Sequence, residues 1–311
     1  MRVVIIGHFP EISKRKIVDS FPRGWEICIV PPEEADRYLA DAEVVIPEHV
    51  QVDGAFLDKA PKLRLVQTGA GFDNVDIASC TGRGVRVCNA AGINAAAVAE
   101  HVMAFMLCWY KNIHRLDLFV KARGDERGLD YTGAELAGKT IGVIGLGAIG
   151  QRVARYCSAF DMRVLGYSRR SVRVPGVEPA DLDSLYARSD VVTVHVPLND
   201  ATRHMIGRDV FARMKSTALL INTARGAIVD ERQLIEALKR HEIGGACLDV
   251  YEEEPLARDH PLRDLPNVIL TPHTAGLPDG VKFHERRYAF FVSNISKVMD
   301  GQVPENALNT F

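Results

Sequence analysis

Short, continuous runs of β-branched and apolar residues recur along this chain, spaced so that a helix fits between consecutive runs. VVIIG (3–7), EICIV (26–30), EVVIP (43–47), LRLVQTG (63–69) and VRVCNA (85–90) form one series. KTIGVIG (139–145), RVLGY (163–167), DVVTVHV (190–196), TALLINT (217–223), GACLDV (245–250) and NVILTP (267–272) form a second. Runs that are apolar at successive positions suit strands covered on both faces, and the stretches between them supply the crossovers that parallel strands require. Two open parallel α/β sheets are therefore predicted. Between the series, AAAVAEHVMAFMLCWY (95–110) is apolar around most of its circumference, which predicts a helix buried between domains or subunits, or within one subunit. KARGDERGLDYTGAEL (121–136) is more polar and predicts a surface segment. FHERRYAFFVSNISKVMDG (283–301) predicts a closing helix ended by a glycine, free to cross back to the first domain.

A length of 311 residues accommodates two domains. The formal net charge of −2 predicts neither a nucleic-acid partner nor binding to an anionic membrane. The Lys14–Lys16 run reads as a solvated helix face. Six cysteines without a CxxC pair indicate a reducing compartment and no metal site, and no run approaches the ~18 apolar residues of a membrane helix. The first residues carry too short an apolar run for a signal peptide, so a cytoplasmic location is expected.

TIGVIGLGAIGQRVARYCSAF places Gly145, Gly147 and Gly150 in GxGxxG spacing, with a β-branched strand running in and an amphipathic helix running out. Three glycines alone are weak evidence; in this setting each has a task. Gly145 permits the tight turn, Gly147 lets a pyrophosphate approach the backbone, and Gly150 lets helix and strand pack closely. The helix N-terminus then meets the negative charge. The next strand runs into Ser168, Arg169 and Arg170, where an acid for the adenosine ribose would ordinarily stand. Serine removes the repulsion that an acid would exert on a 2′-phosphate, and the arginines can bind that phosphate. NADP is the expected cofactor, with NAD the alternative.

Arg225, the glutamates 252–254 and His273 follow three successive strands of the second series, hence share one sheet edge. An arginine there can grip a carboxylate, an imidazolium can give a proton to a carbonyl oxygen, and a glutamate beside it favours the charged ring. Each alone would read as a surface residue; their coincidence downstream of a cofactor fingerprint predicts reduction of a 2-keto acid.

The order GLGAIG, NTARG, LDVYEEEP and TPHTAG resembles the D-isomer-specific 2-hydroxyacid dehydrogenases. The resemblance covers most of the chain: TGAGFDNVDI (68–77) is similar to the family's substrate loop and GQVPENALN (301–309) to its C-terminal ending. It implies a Rossmann dinucleotide-binding domain (100–282) inserted in a flavodoxin-like substrate domain (1–99 and 283–311). It implies Arg225, Glu254 and His273 as the catalytic residues, Glu254 because the family's acid directly precedes the proline. Backbone groups of Ala70 and Gly71 are implied to hold the substrate carboxylate. Ala148 and Ile149 are implied to meet the pyrophosphate and Asp249 the nicotinamide amide, with His195, Pro197 and Thr223 lining the cofactor cleft. The two domains are expected to close over the substrate and exclude water.

The implied activity is reversible reduction of a small 2-keto acid, such as glyoxylate or hydroxypyruvate, to the D-2-hydroxy acid, in a homodimer. A dinucleotide-sensing corepressor-like protein is the competing class, and a phosphite-type oxidase a third. Two departures from the family pattern stand out. Ser168 replaces a common acid, and the tryptophan often found before GAEL is missing. Glu254, rather than glutamine, argues against the formate-oxidising branch.

Overall fold

The computed structural model describes residues 1–48, 50–123, 127, 132–170, 172–276 and 281–311, with only the helical backbone described over 281–284. The chain divides into two compact units, Met1–Asn94 with Leu277–Phe311, and Ala95–Gly276. The expected boundaries at 99/100 and 282/283 would have cut two continuous helices, Ala95–Tyr110 and Val281–Met299.

In the first unit, strands β1 (Arg2–Ile6), β2 (Glu26–Val30), β3 (Val44–Pro47), β4 (Leu65–Gln67) and β5 (Arg86–Cys88) form a parallel sheet in the order β2-β1-β3-β4-β5. Successive side chains leave a strand on opposite faces, so an uninterrupted apolar run feeds two cores. Val3 and Ile5 join Val44, Ile46 and Leu65 on one side; Val4 and Ile6 join Val45, Val66 and Val87 on the other. The closing helix presents Tyr288, Phe291 and Ile295, all fully buried, to the first of these layers. The tail beyond Gly301 (φ +71°) then covers the open edge of β5: Leu308 N–H donates to Val87 O (2.8 Å), and the Asn309 side chain accepts from Val87 N–H (2.9 Å). An edge that would otherwise be available for strand pairing is thereby satisfied within the unit.

The second unit holds a seven-stranded parallel sheet: β6 (Thr140–Ile144), β7 (Arg163–Tyr167), β8 (Val177–Pro179), β9 (Val191–Val194), β10 (Leu219–Asn222), β11 (Gly245–Leu248) and β12 (Val268–Leu270), ordered β12-β11-β10-β9-β6-β7-β8. Six of these strands fall on the expected runs. β8 is additional, a three-residue edge strand ending in proline, a residue tolerated only at such margins. Helix Ala95–Tyr110 buries Ala99, Val102, Met103, Phe105 and Met106 in the same layer as Val153 and Cys157 of helix Ala148–Ala159. One side of its apolar circumference is thus met within the unit, while Leu107, Cys108, Trp109 and Tyr110 stay half-buried. Much of the polar segment expected at 121–136 (124–126 and 128–131) lies outside the described residues. Among the described residues, all six cysteines are free, no helix is long and apolar enough to cross a membrane, and no group of acidic, histidine or cysteine residues is arranged to hold a metal.

Candidate active site

Strand order in the second unit reverses between β6 and β9, so their C-terminal ends flank the crevice where ligands bind in such sheets. Gly145 stands there with φ +100°, and an added Cβ would lie 2.4 Å from His195 O. No other residue fits that turn without moving the next strand end. Gly150 lies on the first turn of helix Ala148–Ala159, where a Cβ would sit 1.9 Å from Gly145 O. Gly147, the residue before the helix, has nothing within 4 Å of its missing Cβ. The three glycines therefore differ: two are demanded by packing, whereas Gly147 leaves space over a helix N-terminus that begins with Ala148 and Ile149. Gln151, which the sequence reading did not single out, steadies the turn by donating from Nε2 to Leu146 O at 2.9 Å.

Tyr167 O accepts from Gly145 N–H (2.8 Å), which sets the end of β7 beside this turn. Ser168 is half-buried there, and Arg169 and Arg170 are exposed. Behind the turn, His195 is half-buried, with Nε2 3.0 Å from Thr193 Oγ1 and an inaccessible Nδ1 left without a partner among the described residues. Burial pushes its pKa down to about 3, so the ring is neutral. Thr223 Oγ1, past the end of β10, is a second buried polar atom without a described partner. Pro197 lies exposed just beyond His195. Orphaned polar atoms, a clear space above Gly147 and a helix N-terminus together fit a dinucleotide.

The catalytic candidates follow β10, β11 and β12, three adjacent strands. Asn222 ends β10 and turns the chain: its Oδ1 accepts from Ala224 N–H (3.0 Å) and its Nδ2 donates to Arg225 O (2.9 Å). Arg225 is half-buried, with Nη1 donating to Ala224 O at 2.7 Å. The following Gly226 was not anticipated. Its Cβ would fall 1.9 Å from Tyr251 C and O, so the loops after β10 and β11 interlock at this point. Asp230 caps the next helix, its side chain accepting from Gln233 N–H (3.0 Å).

Glu254 and His273 meet directly: His273 Nδ1 lies 2.6 Å from Glu254 Oε2, each side chain about one third exposed. Glu254 Oε1 also accepts from Tyr251 N–H at 3.1 Å, so both carboxylate oxygens are fixed. A carboxylate on Nδ1 leaves Nε2 as the edge that can exchange a proton. Glu252 and Glu253 are exposed and point to other tasks than this contact.

Asp249 is almost fully buried. Its Oδ1 accepts from Thr271 Oγ1 (2.5 Å) and Thr274 N–H (2.8 Å), and Oδ2 from Ala275 N–H (2.9 Å). The carboxylate thus holds the segment on either side of His273. His101, on helix Ala95–Tyr110, adds Nε2 3.1 Å from Thr271 Oγ1.

In the first unit, Ala70 and Gly71 lie past the end of β4, half-buried. Asn89 Nδ2 donates to Ala70 O (3.1 Å) and Ala90 N–H to Gly69 O (2.8 Å), which shape this loop. A Cβ on Gly69 would lie 3.4 Å from Arg287 Nη2, and Arg287 pairs with Glu48.

Residues 103–275 match the profile described as D-isomer specific 2-hydroxyacid dehydrogenase, NAD binding domain. The chain is 39% identical over 291 residues to a glyoxylate reductase of Thermofilum pendens, covering 90% of this chain and 85% of that one. It is 40% identical over 287 residues to a D-3-phosphoglycerate dehydrogenase of Methanocaldococcus jannaschii. That alignment covers 89% of this chain but 53% of the relative, so this chain spans about half its length. The crystal structure of a D-lactate dehydrogenase from Aquifex aeolicus, complexed with NAD and lactic acid, superposes with a TM-score of 0.87 at 30% identity, covering 98% of both chains. Sheet order and glycine turn define a dinucleotide-binding α/β protein. Within that class, this chain belongs to the D-isomer-specific 2-hydroxyacid dehydrogenases.

Proposed function

We propose that this chain reduces a small 2-keto acid to the D-2-hydroxy acid with NADPH, reversibly. The observation that carries this reading is the 2.6 Å contact between His273 Nδ1 and Glu254 Oε2, with Arg225 on the neighbouring loop. A bound reduced nicotinamide would supply the hydride. Arg225 orients the substrate through its carboxylate, using the fork geometry that lysine lacks. His273 gives a proton from Nε2 to the carbonyl oxygen as that oxygen gains charge, and Glu254 stabilises the imidazolium before transfer. In the reverse direction the same nitrogen removes the hydroxyl proton. Glycine turn, His195 and Thr223 are the proposed cofactor ligands.

The preference for NADPH is supported by Ser168 with Arg169 and Arg170 at the end of β7, where no acid opposes a 2′-phosphate. Small keto acids are favoured by the glyoxylate reductase relative. Initial rates with NADPH and with NADH, on glyoxylate and on hydroxypyruvate, test the whole reading. Turnover with NADPH favoured is the expected result. Faster turnover with NADH would return the arginines to the status of surface residues, and no turnover on any keto acid would defeat the assignment.

A further inference from the structure

Beside the His273–Glu254 pair lies a second set of two carboxylates and two imidazoles that the proposed chemistry leaves unused. Glu231, the first residue of helix Glu231–Lys239, donates its N–H to Glu252 Oε1 at 3.0 Å. Glu252 returns its own N–H to Glu231 Oε2 at 3.4 Å. Glu231 Oε1 stands 3.1 Å from His260 Nε2, and Glu252 Oε1 stands 3.0 Å from His204 Nε2. His204 is itself clipped to the loop after β10, its N–H donating to Ala227 O at 2.8 Å. Such a collection invites a metal, but among the described residues no group is arranged to hold one.

The connectivity has a different meaning. Glu254 sits on the loop that leaves Tyr251 and reaches His260, and Glu231 fastens both ends of it, at Glu252 and at His260. The loop also closes on itself, with Arg263 Nε donating to Ala257 O (2.7 Å) and Nη2 to Leu256 O (2.8 Å). Glu231 in turn follows Arg225 on the loop after β10, which Gly226 locks against Tyr251. One side chain therefore references the Glu254 loop to the Arg225 loop.

We infer that Glu231, assisted by Glu252, is a positioning residue for the reaction: it sets Glu254 against His273 without touching substrate. The inference rests on the proposed function only for its kinetic readout. Burial of the Glu231 side chain agrees with it. Burial pushes its carboxyl above the ordinary range, opposed by the hydrogen bond from Glu252 N–H and by His260, while the Glu252 carboxylate adds a smaller rise. Apolar residues could fill such a place at no loss of stability, so a buried, paired carboxylate there is better explained by geometry than by stability.

The test uses the full chain in four forms: wild type, Glu231→Ala, Glu231→Gln and Glu252→Ala. The imidazole nitrogen resonances of His273, identified as those missing from His273→Gln, report its contact with Glu254 whether or not substrate is known. Glu231→Ala and Glu252→Ala should both shift these resonances. Glu231→Gln, which keeps one acceptor oxygen for His260 but none for the Glu252 N–H, should restore them in part. In turnover, Glu231→Ala should lower kcat about tenfold with KM for NADPH within about twofold, as expected when ~1.4 kcal/mol of transition-state stabilisation is lost. Combined with Glu254→Gln, it should cost little more than Glu254→Gln alone, because both changes act on one contact.

Unmoved His273 resonances in the two alanine variants would overturn the inference, as would fully additive losses in the double variant. If Glu231→Ala does not fold, the more exposed Glu252→Ala carries the same comparison. Wild-type protein without turnover would defeat the functional reading alone, leaving the resonances to decide the brace.

Discussion

His273 occupies the left-handed region of backbone space at φ +54°, where a residue bearing a Cβ stays only if its surroundings hold it. Those surroundings are identifiable. Asp249 O accepts the His273 N–H at 2.8 Å, and the Asp249 carboxylate grips the next two amides. The ring is therefore delivered to Glu254 by backbone geometry fixed from beneath. Replacing the ring with an amide in His273→Gln should lower kcat by about 10²–10⁴-fold, the usual worth of a positioned proton donor. NADPH affinity, measured by fluorescence titration, should change by less than about threefold; an equal loss in binding and turnover would remove His273 from the proton-donor role. Cofactor choice rests on other side chains. Arg169→Ala/Arg170→Ala should weaken NADPH binding by roughly 10–100-fold, the worth of one or two charge-assisted hydrogen bonds, while NADH binding stays constant. Ser168→Asp should push preference the same way by repulsion. Parallel weakening of both cofactors would place the arginines away from the 2′-phosphate.

At the scale of elements, the three glycines of the turn after β6 make a prediction that separates packing from ligand binding. A Cβ at Gly145 or Gly150 collides with main chain, whereas one at Gly147 meets open space. Gly147→Ala should thus leave the melting temperature of the cofactor-free protein unchanged and raise the dissociation constant for NADPH by on the order of tenfold, or about 1.4 kcal/mol. Retained affinity would mean that no phosphate approaches this backbone. The turn itself was legible in the sequence because strand, glycines and helix are contiguous, and the central strands were legible because burial on both faces makes them continuously apolar. β8 was not, since three residues ending in Pro179 carry neither a run nor an alternation. Arg225, Glu254 and His273 could be placed at one sheet edge from their positions after successive strands. Gly226, Glu231 and His260 could not. Their significance lies in distances between loops remote in sequence, and a glycine after an arginine looks the same whether or not Tyr251 lies against it. Asp249 could be seen at a strand end, but not the three hydrogen bonds that occupy its oxygens.

For the molecule as a whole, partly buried imidazoles tie stability to pH. His195 has its pKa lowered to about 3 by burial, against an ordinary value of 6.5. His101 is also lowered by burial, with Asp249 opposing, and His114 is lowered chiefly by burial. A base whose folded pKa lies below its unfolded value takes up its proton first in the unfolded chain. Folding stability from these rings is therefore fully present above the unfolded value and declines as pH falls from about 6.5 toward the folded value. Glu231 works in the other sense, since burial raises its carboxyl; it favours the folded state at low pH and loses that contribution as pH rises through its folded value. Asp190, held low by Lys215 and Thr140 against the cost of its burial, loses its contribution only below the ordinary aspartate value of 3.8. Between pH 6.5 and 5 the histidines therefore dominate, each contributing a slope of at most ~1.4 kcal/mol per pH unit. Cofactor-free protein should melt at progressively lower temperature across this window. His195→Gln, which keeps a polar side chain of similar reach but cannot titrate, should flatten the dependence while leaving the melting temperature at pH 8 nearly unchanged. A slope identical to wild type would show that the His195 ring reaches water in the folded protein. The neutral ring would then no longer support a ligand-facing role for its unpartnered Nδ1.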